Sequence, residues 1–328
     1  MIDDLVVDLL RGGPGPDEES SRAVTERARR VLRPTGALSR LDEIATWLAA
    51  WQRTRRPSVR SPLLAIFVAS HGVADMSVSA YPAHITASML RALREGVATA
   101  TAMARALGVR VNVVDVGVGE PSENIVYRPA LSEERFLQCF DAGRGAVSDL
   151  VDLLVLGEMG IGNTTAASAV AAALFGGPAE EWTGRGTGID DETWRRKAGV
   201  VEAARERAGP CGPMETLRQL GGSELVAIAG AIVEARRRSV PVVLDGFVVT
   251  APAAALEIAV PGSLDHCVAG HRSAEPGHAA LLAKLGKEPL IDLGLRLGEG
   301  SGALAAVPLI ELASVAVNDV ATFEEFGV

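Results

Sequence analysis

The chain has 328 residues, of which 48% are hydrophobic and only 4% aromatic, and its formal net charge at pH 7 is −9. Such a chain can bury a large core in one or two domains, and this composition is typical of an α/β enzyme. The acidic balance, without a long basic block, argues against a nucleic-acid surface, and the acidic N-terminus argues against a signal peptide. No apolar stretch of about 18 residues is free of charges or helix breakers, so we expect no membrane span.

The N-terminal region is predicted to be helical. Residues 12–20 predict a loop, helical periodicity follows over 21–32, and 42–52 is predicted as an amphipathic helix with Ile44 and Leu48 on one face. The three cysteines of the whole chain are scattered and form no CxxC pair, which is consistent with reduced thiols and predicts a cytoplasmic location.

Short apolar runs then alternate with alanine-rich stretches. The apolar runs are typical of buried parallel strands and cover residues 63–69, 109–118, 150–156 and 240–244. The alanine-rich stretches predict helices and cover residues 85–107, 166–174, 194–208 and 225–237. This alternation predicts an α/β fold with a mostly parallel, Rossmann-like sheet flanked by helices. Ligands of such sheets bind beyond the carboxyl ends of the strands. The segments SHG, GEMGIGN and DGF follow three of these strands, at 70–72, 157–163 and 245–247.

Two glycine loops carry a glutamate at the junction of two elements. GEMGIGNTT contains Glu158 and is no P-loop, because Gly-Lys-Ser/Thr is missing; in a dinucleotide fingerprint the third glycine would fall at Thr165. Asn163 or Thr164 is predicted to cap the helix that follows. A purely structural turn remains an alternative. RLGEGSG, however, repeats the pattern around Glu299, which favours a site over two solvated surface residues.

Two further motifs suit an anion. GRGTG at 184–188 offers Arg185 and bare backbone amides, and GHRSAEPGH at 270–278 offers Arg272 and Ser273. The two histidines of the second motif are seven residues apart with a proline between them, which does not suit zinc. No GxSxG hydrolase motif is present. No metal and no cofactor are predicted.

The motifs GEMGIGNTTAA, GRGTGIDD, LDGF, GHRSAEPGH and LGLRLGEGSGA occur in this order, and with them the chain resembles the nicotinate-nucleotide:dimethylbenzimidazole phosphoribosyltransferase family. The similarity runs from RPTGALSRLDEIATWLAAWQ through HGVADMSVSAYPAHITASM to ATFEEFGV. It implies transfer of the phosphoribosyl group of nicotinate mononucleotide to 5,6-dimethylbenzimidazole or a related azole in cobalamin nucleotide-loop assembly. The products would be an α-ribazole 5′-phosphate and nicotinate.

The resemblance also implies an architecture and partners. An α/β phosphoribosyltransferase domain would cover 61–300, and the segments 1–60 and 301–328 would contribute to a smaller helical domain. The implied partners are the two small-molecule substrates and a second copy of the chain, with no nucleic acid and no membrane. No metal is implied, because the leaving nicotinate is already activated by its positively charged ring nitrogen.

Site residues carry over from the family by position. Glu299 matches the catalytic base, which accepts the azole proton, and Glu158 matches a carboxylate that lines the nucleotide and base pocket. The resemblance implies substrate-binding roles for Gly160, Ile161, Gly162, Asn163, Gly186, Lys197, Asp245, Ser273, Gly298, Ser70, His71, Ser79 and Ser88. Among these, Gly160, Gly186, Lys197 and Ser273 are the candidates for the phosphate and ribose, and Ser70 and Ser88 lie where the family holds the acceptor base.

The acceptor side departs from the family pattern. Ser70 stands where the family has aspartate, Ser88 stands where it often has glutamine, and the segment 117–134 is shorter than usual. An aspartate is a permanent hydrogen-bond acceptor, whereas a serine can donate or accept. The substitution either changes which acceptor base the pocket binds best or is a neutral change without effect on function.

Several functions therefore stay open. One is transfer to dimethylbenzimidazole or a close relative, and another is transfer to a different azole, a purine or a phenol. A third is a binding protein without turnover, acting as a sensor or as the partner of a paralogous subunit. Retention of both Glu158 and Glu299 argues against a pure binder, and the missing third glycine argues against a nicotinamide-dependent oxidoreductase.

Overall fold

A computed structural model describes residues 2–148, 150–186 and 188–328. Over these residues the strands are β1 Pro62–Val68, β2 Arg110–Asp115, β3 Leu153–Met159, β4 Val242–Leu244 and β5 Cys267–Ala269. The α-helices are α1 Ile2–Arg11, α2 Glu18–Ala28, α3 Ser39–Gln52, α4 Ile85–Arg94, α5 Thr99–Ala106, α6 Glu133–Gly145, α7 Asn163–Phe175, α8 Ala179–Trp182, α9 Asp191–Ala208, α10 Pro213–Leu220, α11 Ser223–Arg237, α12 Phe247–Ala259, α13 Pro276–Lys284, α14 Ser301–Asn318 and α15 Phe323–Phe326. A short 3₁₀ helix spans Gly72–Met76.

The strands form one parallel sheet in the order β2-β1-β3-β4-β5. From β1 the chain moves outward to β2 and then returns to the other side of β1 as β3. The direction of winding therefore reverses between β1 and β3, and in doubly wound sheets a crevice opens at that point beyond the carboxyl ends of the strands. The predicted α/β fold with a parallel sheet flanked by helices is confirmed.

Alternate side chains of the central strands enter two separate cores. Leu63 and Phe67 of β1 pack in the core that holds α1, α6, α7 and α10 to α12, whereas Leu64 and Ile66 face the core that holds α2, α3, α5 and α14. Both faces of the sheet are covered by helices, so these strands are apolar throughout instead of alternating. The N-terminal helices divide between the two faces: α1 contacts α10 and α11, and α2 and α3 contact α14.

Two predictions about the elements are wrong. The stretch 85–107 is not one helix, because α4 ends at Arg94 and α5 begins at Thr99, with Gly96 between them at a φ of +73°. β2 is not a buried strand but the half-exposed edge of the sheet, with a neighbour on one side only. The elements that the sequence did not predict include α12, which is buried almost all round and therefore lacks the polar face that creates helical periodicity.

One helix, α14, is long and apolar enough to cross a membrane by length and composition alone. Of that stretch, 56% is buried inside the protein. Leu304 and Ile310 lie in the second core, so the helix serves here as a core helix.

Candidate active site

A cleft opens at the carboxyl edge of β3 and β4, next to the point where the winding reverses. The structure brings together here eleven of the residues predicted for the site, Ser79, Glu158, Gly160, Ile161, Gly162, Asn163, Gly186, Lys197, Asp245, Ser273 and Gly298. Glu299, Ser70, His71 and Ser88 are not among the lining residues; Glu299 is the next residue in the chain after the lining residue Gly298.

Glu158 is near the end of β3 and is only 8% exposed. Burial raises the pKa of its carboxyl to about 8; the negative charges of Asp245, Glu224 and Glu299 add to this shift, and a hydrogen bond from Asn163 opposes it. The side chain is therefore mostly neutral at pH 7. A neutral carboxyl does not repel an anionic ligand in the adjacent glycine loop as a carboxylate would.

Glu299 is held in a strained backbone conformation. Gly298, Glu299 and Gly300 all have left-handed φ values, of +86°, +62° and +84°. This conformation costs a residue with a side chain about 1–2 kcal/mol. The strain is maintained by β3: the Glu299 amide donates to the Glu158 carbonyl over 3.1 Å, and a Cβ on Gly157 would lie 2.4 Å from the Glu299 carbonyl oxygen. The two glycine loops thus carry glutamates side by side because they pack against each other.

The carboxylate of Glu299 faces the N-terminus of α5. Its Oε2 accepts a hydrogen bond from the Ala100 amide over 3.2 Å, and the side chain is 3% exposed. Burial, helped by the charge of Asp245, raises the pKa of Glu299, and the hydrogen bond from Ala100 opposes that rise. A carboxylate with a raised pKa is a stronger proton acceptor, which suits a general base.

Asp245 follows β4 and holds the Glu299 loop in place. Its Oδ2 accepts from the Gly300 amide over 3.2 Å and its Oδ1 from the Ala303 amide over 2.8 Å, so it caps the start of α14. His271 approaches the same carboxylate, with 3.5 Å between its Nε2 and Oδ1. Burial raises the pKa of Asp245, while His271 and the backbone amides lower it. Asp245 lines the cleft, but its hydrogen bonds go to the backbone that positions Glu299.

The N-terminus of α7 is open toward the cleft. The predicted capping by Asn163 or Thr164 is wrong: the cap residue is Gly162, at a φ of +96° and with no side-chain cap. Asn163 donates instead to Glu158, and Thr164 accepts from the Lys197 ammonium over 2.9 Å. An uncapped helix N-terminus offers backbone N–H groups and a positive dipole end to an anion.

Lys197 reaches the same place from α9. Its ammonium is buried and also donates to the Gly184 carbonyl over 3.0 Å. Burial lowers the pKa of Lys197 to about 8, and the nearby charge of Glu275 opposes the shift. A buried ammonium is poorly stabilised by solvent, so a bound anion would stabilise its charged form.

Ser273 presents a free hydroxyl to the cleft. Its backbone N–H donates to His278 Nδ1 over 2.9 Å, so the ring proton of that histidine is on Nε2, which lies 3.1 Å from the Thr250 hydroxyl. Burial lowers the pKa of His278 to about 3, which keeps the ring neutral. Ser273 Oγ has no hydrogen-bond partner among the described residues and is therefore free for a ligand.

The arginines of the two anion-type motifs are engaged elsewhere. Arg272 is half exposed and pairs with Asp292, outside the cleft lining. Arg185 lines the cleft but pairs with Asp191. Thr187 of the GRGTG loop lies outside the described residues.

The acceptor-side residues have different surroundings. Ser79 lines the cleft, and its Oγ accepts from the Tyr81 amide over 3.2 Å. Ser70 Oγ donates to the Val118 carbonyl over 2.9 Å, and His71 pairs with Glu224 beneath the cleft floor. Ser88 is exposed on α4.

Sequence reasoning missed two residues that bear on the site. Arg296 lines the cleft and donates to the Gly186 carbonyl over 3.1 Å, and it stands inside the motif that drew attention to Glu299. Glu224 is fully buried behind Glu158. Nothing in GGSEL shows that this first-turn glutamate of α11 is turned inward. Within 2–148, 150–186 and 188–328, no group of three or more His, Cys, Asp or Glu side chains could hold a metal ion.

Known proteins resemble this chain along nearly its whole length. A family profile described as phosphoribosyltransferase matches residues 14–328. The nicotinate-nucleotide–dimethylbenzimidazole phosphoribosyltransferase of Ruegeria pomeroyi is 46% identical over 321 residues, which cover 98% of this chain and 96% of that protein. The protein of the same name from Brucella canis is 45% identical and covers 98% of this chain, with 95% of its own length matched. The crystal structure of CobT from Thermus thermophilus matches with a TM-score of 0.90 and 40% identity, over 94% of this chain and 99% of that one.

Proposed function

This chain belongs to the nicotinate-nucleotide–dimethylbenzimidazole phosphoribosyltransferase family, and from that membership we propose that it transfers the phosphoribosyl group of nicotinate mononucleotide to 5,6-dimethylbenzimidazole. The products are an α-ribazole 5′-phosphate, for the nucleotide loop of cobalamin, and nicotinate. The proposal rests chiefly on one arrangement. Glu158, Asp245 and the Glu299 loop meet Lys197 and the open N-terminus of α7 at one cleft, so carboxylates and anion-binding groups lie at the same site.

The reaction exchanges one carbon–nitrogen bond for another. An azole nitrogen attacks C1′ of the ribose while the bond from C1′ to the pyridinium nitrogen breaks, and its electron pair neutralises the departing nicotinate ring. The attacking azole becomes cationic and must lose its N–H proton. Glu299 is the residue proposed to accept that proton, because its raised pKa favours proton uptake.

The carboxyl of Glu158 suits the positive charge that develops on the ribose. In its ionised form it stabilises an oxocarbenium-like transition state by charge attraction, and burial strengthens that attraction. Its proton is lost most readily when cationic charge is near, so the substrate itself promotes the active form. Asp245 contributes by holding Gly300 and Ala303, and with them the strained Glu299.

The same cleft also offers hydrogen-bond donors for the phosphate and the ribose. The N–H groups at the start of α7 and the Lys197 ammonium suit the phosphate, and the free hydroxyl of Ser273 suits a ribose or phosphate oxygen. The bare backbone of Gly160, Gly162 and Gly186 lets a nucleotide approach closely.

The position of Ser70 favours dimethylbenzimidazole as the first acceptor to test. Its hydroxyl is bound to the Val118 carbonyl and does not line the cleft, so its departure from the family's aspartate supports drift over a new specificity. Purified protein should release nicotinate from nicotinate mononucleotide with a panel of benzimidazoles, purines and phenols, followed by mass spectrometry. The fastest release of nicotinate with dimethylbenzimidazole as acceptor would support the proposal. Turnover led by another ring assigns a different acceptor, and nucleotide binding without any release favours a non-catalytic paralogue or partner subunit.

Three further features stay proposals. The chain acts as a homodimer in the cytoplasm, and the segments 1–60 and 301–328 contribute to a smaller helical domain beside 61–300. The three unpaired cysteines are consistent with a reducing compartment, and the packing of α2 and α3 on α14 supports the helical domain. Light scattering coupled to gel filtration measures the oligomeric state, and a mass near 34 kDa, that of one chain, would contradict the dimer.

A further inference from the structure

A buried pair of ionisable side chains lies beneath the cleft floor. His71, just after β1, and Glu224, in the first turn of α11, are 2.5 Å apart from Nε2 to Oε1, and both are shielded from solvent. Within the described parts of the chain, neither His71 Nδ1 nor Glu224 Oε2 has a hydrogen-bond partner. Two polar atoms of the pair are therefore buried without a hydrogen bond, which costs desolvation free energy.

The pair packs directly against the loop that carries the nucleotide-binding candidates. A Cβ on Gly160 would lie 3.2 Å from Glu224 Oε1 and 3.2 Å from the His71 ring, and 2.6 Å from the Ala69 carbonyl. On the other side, a Cβ on Gly222 would lie 2.2 Å from the same ring. The imidazole is therefore held between two glycine backbones, and Gly160 lies against both partners of the pair.

Stability alone is a weak reason for such a pair. Apolar residues of similar volume often replace a buried ion pair with no loss of stability, because the desolvation cost offsets the attraction. We propose that His71 and Glu224 are positioning residues: they hold Gly160, which follows β3, against the end of β1, and they place the charge of Glu224 near Glu158. This inference rests on the proposed function, since its consequence is a change in the transfer reaction.

The charge of Glu224 acts on Glu158 together with other groups. Glu158 faces Asp245 after β4, Glu299 before α14, Asn163 on α7 and Glu224 on α11. The carboxylates among these all raise the pKa of Glu158, and the amide of Asn163 lowers it. Cys139 of α6 also lies within the field of Glu224. Removing the charge of Glu224 therefore lowers the pKa of Glu158, which ionises at a lower pH.

The first test is the pH profile of kcat/KM for nicotinate mononucleotide in Glu224→Gln. Loss of the charge should move the acid limb to lower pH by about half a unit or more. The matched control is Glu234→Gln, which removes a glutamate from the same helix α11, where it pairs with Arg144, Arg237 and Arg238. The control should leave the limb in place. An unmoved limb in Glu224→Gln would contradict the proposal.

A second variant separates positioning from folding. The double substitution His71→Leu with Glu224→Met replaces the pair by apolar side chains of similar size and should keep the melting temperature. We expect its KM for the nucleotide to rise about tenfold, because Gly160 is no longer held, and its acid limb to shift as in Glu224→Gln. A stable double variant with the wild-type KM and limb would show that the pair is only structural.

A third readout needs no turnover. The pKa of Glu158 is about 8 in the folded protein against an ordinary value of 4.5, so its contribution to stability is lost as pH rises from 4.5 through 8. Glu158→Gln should therefore raise the melting temperature more at pH 9 than at pH 5. That gain should be smaller in a Glu224→Gln background, and an equal gain in both would contradict the coupling. If the wild-type protein transfers to no acceptor, the proposed function fails while this stability cycle still tests the pair.

Discussion

The polar residues on the carboxylate side of the cleft and those that follow β1 differ in where their side chains face. On the carboxylate side, Glu158 and Glu299 stand inside glycine loops that pack backbone to backbone, and Asp245 accepts from the amides of Gly300 and Ala303, which follow Glu299. Ser70 and His71, which follow β1, also lie in packed backbone: the Ser70 amide donates to the Gly117 carbonyl over 3.2 Å, and the His71 ring lies between Gly160 and Gly222. Their side chains nevertheless face Val118 and Glu224 instead of the cleft. A position directly after a parallel strand therefore does not by itself place a side chain in the crevice, because the segments packed against it decide whether it faces the crevice or the core.

The largest expected effect is on the carboxylate side. Glu299→Gln should lower kcat by about 10²–10⁴ because it removes the proton acceptor while keeping the shape of the side chain. The KM for nicotinate mononucleotide should change by less than about threefold, since the nucleotide donors lie elsewhere. Steady-state kinetics measure both. Glu311→Gln, an exposed change on α14, is the control, and a loss carried entirely by KM would remove Glu299 from the role of base.

Lys197 tests the phosphate end of the cleft. Lys197→Met keeps the length of the side chain and removes its charge, so the Kd for nicotinate mononucleotide should rise about 10–100-fold. Nicotinate riboside, which lacks the phosphate, should bind to both proteins within about threefold. Calorimetry measures the affinity of each of the two ligands for the wild-type protein and for Lys197→Met. Equal weakening for nucleotide and nucleoside would mean that Lys197 does not bind the phosphate.

The pH profile of kcat/KM depends on both Glu158 and Lys197. Catalysis needs Glu158 ionised, which requires a pH above its pKa of about 8, and Lys197 protonated, which requires a pH below its pKa of about 8. The profile of kcat/KM should therefore be a bell with its maximum near pH 8, about threefold lower at pH 7 and at pH 9. Glu158→Gln should remove the contribution of Glu158 to the acid limb, and Lys197→Met should remove the alkaline limb. A flat profile from pH 6 to 9 would contradict both roles.

The smallest expected effects are those of the serine substitutions on the acceptor side. Ser79 lines the cleft and Ser88 is exposed, so Ser79→Ala should raise the KM for the acceptor about 2–10-fold and Ser88→Ala by less than about twofold. Competition between two benzimidazoles, with and without methyl groups, measures any change of preference. A larger effect at Ser88 would mean that α4 contributes to the acceptor pocket, for example across a dimer interface.

Much of this arrangement could be predicted from particular residues. The strands β1, β3 and β4 were predicted because both faces of the sheet are covered, which makes their sequences continuously apolar. Most of the eleven candidate site residues that line the cleft follow strands or stand in glycine loops at the same edge, whereas Lys197 reaches the cleft from within α9 and Ser79 from the segment after the 3₁₀ helix. Glu224 could not be predicted, because a first-turn glutamate is ordinarily solvated and only its partner His71, 153 positions away in the chain, accounts for its burial.

The fold class, the family and the edge of the sheet at which the site lies could be inferred from the amino-acid sequence alone. They follow from periodicity, from the order of five motifs and from the rule that parallel strands place their carboxyl ends together. The direction of each side chain and its ionisation depend instead on contacts that form only in the folded chain. Asn163 donates to Glu158 instead of capping α7, and Asp245 binds the loop that carries Glu299. The pKa of Glu158 is raised by burial and by carboxylates from three other segments, and none of these is a neighbour in the sequence. The pKa of a site residue depends on its burial and on charges from segments that are distant in the chain, so it cannot be read from the residues next to it in the sequence.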